Sequence, residues 1–260
     1  MLFVGTYASQ IAAPPVAVGP WTPAALGTTV KAWCRFDEIT APAGSQITSF
    51  TDAQGTTYTG NPFVREGFLA PGKKSIQRKD GVGELTGSIN MPMLGTAPRT
   101  IFIVFSLYEP GHNTNIAGIG GQPAGRQALD LWVQGGTWAW HLNGPAVANG
   151  GAMGRDLPTV AAFATSNGYR HELWQNGNTR GIFTDDYPMV TSNGPLRLLY
   201  GVHGGLPYGN TSIDIGEIVV CDSYLTTEQC QKMEGYLAWK WSRVGQLPAD
   251  HPYKSAAPTA

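Results

Sequence analysis

Short runs of β-branched, aromatic and aliphatic residues alternate along the chain with clusters of Gly, Asn, Asp and Pro. The runs are VKAWCRF (30–36), ITSFTD (47–52), TIFIVFSLY (100–108), ALDLWVQ (128–134), TWAWHLN (137–143), VAAFAT (160–165), HELWQN (171–176), LRLLYGV (196–202) and IDIGEIVV (213–220). Many short strands at close spacing, separated by turn signals, predict an antiparallel sandwich or jelly roll. One helix interrupts this pattern near the end. Thr226 with Gln229 three residues on forms a capping box, and Glu228 sits in the first turn. Cys230, Met233, Leu237 and Trp241 then recur at helical steps. The helix is expected over about 226–242, lying against the sandwich, with Gly245 and Pro248 as stop signals beyond it.

The amino-terminal part has a different pattern. Residues 1–9 hold one apolar strand candidate, LFVGTY, and residues 12–28 are a connector rich in Pro, Ala and Gly, expected to lack regular structure. The expected division is therefore a strand and connector over 1–28 and a jelly-roll body, with helix and docked tail, over 29–260. An apolar strand without a local partner is an edge open to pairing. Leu2, Phe3, Val4 and Tyr7 are accordingly read as an anchor into a neighbouring subunit, which makes the chain a homo-oligomer or a multicopy part of an assembly. At the other end, Asp250 to Tyr253 are expected to turn the tail back onto the body.

The segment 128–143 has readable faces. Gly135-Gly136 between two alternating runs signals a two-residue hairpin turn, which sets Gln134 opposite Thr137, Trp132 opposite Ala139, Asp130 opposite His141 and Leu129 opposite Leu142. Leu129, Leu131, Val133, Trp138, Trp140 and Leu142 then share a core face. Asp130, Trp132, Gln134, Thr137, Ala139, His141 and Asn143 share the other. That second face has the composition of a sugar platform, an indole for stacking with Asp, His and Asn in reach of hydroxyls. The bland alternative is an indole packed under a loop or a neighbouring subunit, beside a cross-strand Asp130–His141 pair. Trp174, on the face opposite Leu173 and next to the Asn176-Gly177 turn, is a second candidate aromatic; its bland alternative is a rim residue covering the sandwich edge.

Composition narrows the function. One residue in five is Gly or Pro (34 and 19 of 260), while charged residues make up 13%, about half the usual quarter. Lys and Arg are scattered and the net charge is −1, which argues against nucleic acid. No apolar run reaches the roughly 18 residues of a membrane span. The first positive charge is Lys31, so the basic start of a secretory signal is missing. Cys34, Cys221 and Cys230, odd in number and at no metal-ligand spacing, read as reduced thiols of a protein made in a cytoplasm. Neither a cofactor nor a metal is expected, and no HExxH, phosphate loop or nucleophile elbow occurs.

The stretch 215–253, IGEIVVCDSYLTTEQCQKMEGYLAWKWSRVGQLPADHPY, resembles the end of concanavalin A-like, laminin-G-like jelly-roll domains found in tailed-phage virion proteins and bacterial surface proteins. Those domains close with a GEI strand, an L-S/T-x-E cap, a helix ending EGYLAWKWG and an LPADHPY tail. Glu217, Asp222, Leu225, Thr226, Glu228, the run Glu234 to Trp241 and the run Leu247 to Tyr253 stand at those positions. The likeness is looser upstream, in VKAWCRFDE with ITSFTDAQG, in TIFIVFSLYEP and in HELWQNGN. Cys34-Arg35-Phe36-Asp37 and Lys79-Asp80-Gly81-Val82-Gly83 depart from the pattern, so no calcium site is carried over.

The resemblance implies an all-β concanavalin A-like antiparallel sandwich with one carboxyl-terminal helix. It also implies a non-enzymatic virion structural protein, such as a capsid decoration, tail or fibre component, made in the host cytoplasm and displayed on the particle. Its expected partners are other virion subunits and host-surface glycans. The alternatives are a carbohydrate-binding module of a bacterial surface protein and, further off, a glycoside hydrolase. Laminarinase-type members carry an E-I-D-I-x-E strand because retention needs two carboxylates about 5 Å apart. The look-alike here, 212–217, begins with Ser212 and lacks the nucleophile.

Overall fold

The computed structural model describes residues 19–79, 82–108, 114–120, 129–134, 137–142, 146–152, 157–184, 191–199 and 212–260. The expected anchor, Leu2, Phe3, Val4 and Tyr7, lies outside them, as does Asn143. In chain order the strands are β1 Val30–Arg35, β2 Ser49–Thr51, β3 Thr57–Gly60, β4 Phe63–Glu66, β5 Lys74–Arg78, β6 Leu85–Asn90, β7 Arg99–Leu107 and β8 Thr114–Ile119. There follow β9 Leu129–Gln134, β10 Thr137–Leu142, β11 Ala146–Ala152, β12 Thr159–Thr165, β13 Arg170–Gln175, β14 Asn178–Thr184, β15 Pro195–Leu198 and β16 Ile213–Cys221, and then the helix α1, Thr227–Lys240.

The strands form two antiparallel sheets of eight. The first runs β14-β13-β12-β7-β16-β5-β4 with β1 also on β16, and the second runs β11-β10-β9-β8-β15-β6-β3-β2. Phe36, Tyr58, Ile103, Phe105, Leu131, Trp138 and Phe163 interlock between them as the main core. A second apolar layer, with Trp33, Phe102, Val104, Val219, Met233, Leu237 and Trp241, joins the first sheet to α1. This explains why β7 reads as a continuous apolar run: all nine of its residues are buried, because both of its faces are covered.

The expected hairpin is present residue for residue, from Gln134↔Thr137 through Asp130↔His141 to Leu129↔Leu142. The helix has the expected capping box, with Thr226 Oγ1 accepting from the Gln229 N–H and Gln229 Oε1 accepting from the Thr226 N–H. Two expectations are corrected. Of the run LRLLYGV, Leu196–Leu198 lie in β15, Leu199 follows at a φ of 60°, and residues 200–202 lie outside the described residues. The connector's second half belongs to the body. Pro23–Thr29 forms 3-10 turns started by Pro, and Trp21 is buried edge-on against Tyr236. The N–H of Trp21 donates to the Pro258 carbonyl at 3.0 Å and that of Ala260 to the Gly19 carbonyl at 2.9 Å. The chain therefore enters the body beside its own tail.

Candidate functional site

Glu217 is densely wired, and its carboxylate is completely buried. Trp33 Nε1 and Tyr236 OH donate to its Oε1 at 2.7 and 3.0 Å, Trp241 Nε1 donates to Oε2 at 2.9 Å, and Lys240 Nζ lies 2.8 Å from Oε2. Local backbone geometry aims it there. The pairing of β16 with β7 slips between Ile215 and Glu217. That bulge at Gly216 restarts the alternation, so Glu217 faces the helix while Ile215 and Ile218 both enter the core. A Cβ on Gly216 would stand 2.5 Å from the Trp241 ring. The tail docks by the same logic. A Cβ on Gly235 would stand 2.6 Å from Tyr253, and one on Gly177 2.8 Å from Pro248. Glu234 and His251 meet in the interior at 3.4 Å. The GEI, EGYLAWKW and LPADHPY segments are thus complementary parts of one docking device. Asp214 is likewise engaged, with Arg65 Nη1 at 2.9 Å and Ser75 Oγ at 3.0 Å.

The β9–β10 face differs from the open platform expected of it. Asp130 is 1% exposed and Trp132 9%, and their neighbours Ala139 and Asn115 are buried as well. The outer face of the second sheet is closed at these positions. The backbone of His141 pairs with Asp130 as expected. Asn115, which in EPGHNTN reads as part of a polar loop tip, instead stands on β8 opposite Trp132, beside a bulge that blurs the strand's alternation. Its buried side-chain amide finds no hydrogen-bond partner among the described residues.

Trp174 lies on the other side of the molecule. It projects from β13 on the helix-facing side of the first sheet, half-buried, opposite Thr179 of β14. The Asn176-Gly177 turn, with positive φ at both residues, closes this hairpin as a tight primed turn. Between hairpin and helix runs a groove of about 230 Å³. Trp174 and Glu172 form its floor, the stripe Thr227, Cys230, Gln231 and Glu234 of α1 forms one wall, and exposed Ile182 forms the opposite lip. At one end Tyr224 OH donates to Glu172 Oε1 at 2.5 Å, and Arg170 binds both Glu172 and the Tyr224 hydroxyl. Burial, reinforced by the bond to Glu172, raises the Tyr224 pKa, so its hydroxyl stays protonated. Burial likewise pushes the Cys230 thiol up to about 12, which leaves it unreactive. All three cysteines are free and buried. An indole surface flanked by an amide, hydroxyls and a carboxylate suits a ligand with one apolar face and several hydroxyl groups. The candidate residues of the sequence are therefore split: Asp130 and Trp132 on the second sheet, Trp174 on the first.

No family model and no curated protein matches the sequence. Among solved structures it is similar to the receptor-binding domain of botulinum neurotoxin C/D mosaic serotype, at 9% identity and a TM-score of 0.57 over 78% of this chain and 50% of that one. It is also similar to Trypanosoma rangeli sialidase, at 12% identity and 0.53, over 86% and 36%. A third is the ligand-binding domain of botulinum neurotoxin serotype D in complex with N-acetylneuraminic acid, at 11% and 0.52, over 72% and 50%. The chain spans half the length of the two toxin domains and about a third of the sialidase. At such identities the likeness is one of fold. The protein is a concanavalin A-like, two-sheet antiparallel sandwich with a carboxyl-terminal helix, as its closing segment implied.

Proposed function

We propose that this chain is a non-enzymatic, lectin-type glycan-binding module, displayed in many copies on a phage particle and contacting host-surface glycans. The observation that carries the reading is the groove in which Trp174 offers its indole between the carboxylate of Glu172 and the polar stripe of α1. A serotype D neurotoxin domain of the same fold, solved with N-acetylneuraminic acid, makes an acidic sugar a sensible first probe. In favour of a non-catalytic role, Asp214 and Glu217, the nearest likeness to a glycosidase pair, are both committed to internal contacts. The virion assignment is supported by the resemblance of residues 215–253 to phage jelly rolls, with the amino-terminal segment as the link to other subunits. Display in many copies multiplies a modest affinity per site.

The test is a glycan array with the purified chain and its Trp174→Ala variant. The wild type is expected to retain at least one glycan, recovered uncut, and the variant to lose about 1–3 kcal/mol of binding. An array on which the wild type binds nothing, or equal binding by the variant, sinks the assignment. Absence of the chain from purified particles of a phage encoding it overturns the virion role.

A further inference from the structure

Among the described residues the sheet edges at β14, β11 and β4 are covered, and β1, which pairs only with β16, runs beside the segment that follows β2. Strands β14 and β11 pack against each other where the sheets meet. The outer side of β4 is capped by the preceding segment: Gly44 N–H donates to the Val64 carbonyl at 2.7 Å and Val64 N–H to the Ser45 carbonyl at 2.8 Å. Among the described residues that leaves β2. Asp52 N–H bonds the Thr56 carbonyl and Gly60 N–H the Thr48 carbonyl, so the even-numbered residues of β2 pair with β3. By antiparallel alternation the N–H and C=O groups of Ser49 and Thr51 point away from β3. Ala53, next in that series, donates to the Trp33 carbonyl at 3.0 Å. From that bond, and the one by which the Trp33 N–H donates to Asp52 Oδ2 at 3.3 Å, β2 and the segment after β1 diverge, enclosing a cleft of about 370 Å³. Ile39, Ala41, Ile47 and Phe50 supply its apolar lining, Arg35 and Glu38 its charged rim, and Ser49 and Thr51 are exposed beside it.

We propose that this cleft accepts an extended strand, Leu2 to Tyr7 of a second copy of the chain, which adds to β2. The inference rests on the assembly part of the reading above and names the surface that the amino-terminal segment meets. The match is chemical: in an extended LFVGTY either row, Leu2 with Val4 or Phe3 with Tyr7, can bring apolar groups to the lining while the backbone bonds Ser49 and Thr51. Reach is sufficient, since the 18 residues before Gly19 span up to about 60 Å extended. Pro14-Pro15 stiffens that span and favours a neighbour over the chain's own body.

The experiment uses the full chain. Val4→Cys and Thr51→Cys are made separately, mixed and oxidised; the expected product is a dimer linked between positions 4 and 51, mapped by mass spectrometry. No such link, or, in a chain carrying both substitutions, a link that forms only within that chain, overturns the proposal. In parallel, Thr51→Pro removes an outward N–H and the exposed hydroxyl contact to Thr57 but leaves the β2–β3 backbone bonds intact, so the melting temperature should stay close to that of the wild type. Self-association measured by sedimentation is expected to weaken about tenfold. Unchanged association would also overturn the proposal. Deleting residues 1–18 separates the two levels. If the deletion abolishes association and Thr51→Pro does not, the segment assembles the particle through another surface; if the deletion has no effect, both readings fall.

Discussion

Two indoles, Trp132 and Trp174, project outward from strands in opposite sheets, and alternation along each strand assigns them equivalent positions. Their environments are opposite. Trp132 sits on a closed face with buried Asp130 and Asn115, whereas Trp174 lines a groove beside α1. The difference extends to the polar groups around them. On the helix side, Glu217 satisfies four donors from β1, α1 and the helix cap Trp241, while on the other side the Asn115 amide is buried without a described partner. The buried carboxylate on the helix side is met by donors, and the Asn115 amide on the other side is buried at a cost. A strand's periodicity says to which side a residue points; what covers that side is decided elsewhere in the chain.

Three substitutions set these faces against each other. Glu217→Ala leaves the Trp33, Tyr236 and Trp241 donors without their acceptor and Lys240 with Asp37 alone, and is expected to cost about 3–5 kcal/mol in denaturant unfolding. A loss under about 1 kcal/mol would show that apolar packing, and not the carboxylate, holds the helix. Asn115→Leu removes an amide whose burial is uncompensated, so stability is expected to stay level or rise by up to about 1–3 kcal/mol. A clear loss would mean that the amide is satisfied and that the two faces are alike. The smallest effect is one of pH. Burial, only partly offset by His251, raises the Glu234 pKa above its ordinary 4.5, so the folded chain holds this proton more tightly than the unfolded one. Its contribution is full below pH 4.5 and is lost as pH rises through the folded value. Glu234→Gln should flatten the stability profile above that pH, and thermal melts from pH 4 to 8 that run parallel for both proteins would contradict this.

Much of the fold was legible because the signals were local. The β9–β10 register, the Asn176-Gly177 turn and the capping box of α1 each depend on residues within a few positions of one another. Glycine-rich strands such as β11, ANGG in its middle, carry no alternation to read, and β8 is broken by a bulge. Trp174 was legible as a candidate aromatic and its groove was not, since the wall comes from α1, some fifty residues further on. The resemblance of the closing segment carried the fold but not the role of its residues. The meaning of its glycines and of Glu217 appears only when Trp33, 184 positions away, is seen donating to that carboxylate.

By itself, then, the sequence determined nine of the sixteen described strands, the faces of the β9–β10 hairpin, the helix with its caps and the kind of sandwich they build. Periodicity, turn chemistry and capping act between near neighbours and survive without a tertiary context. Only the tertiary structure decided which outer face is closed, which is grooved and which edge stays free. Burial is set by whatever lies across a face, and in an antiparallel sandwich that is almost always a segment remote in the chain.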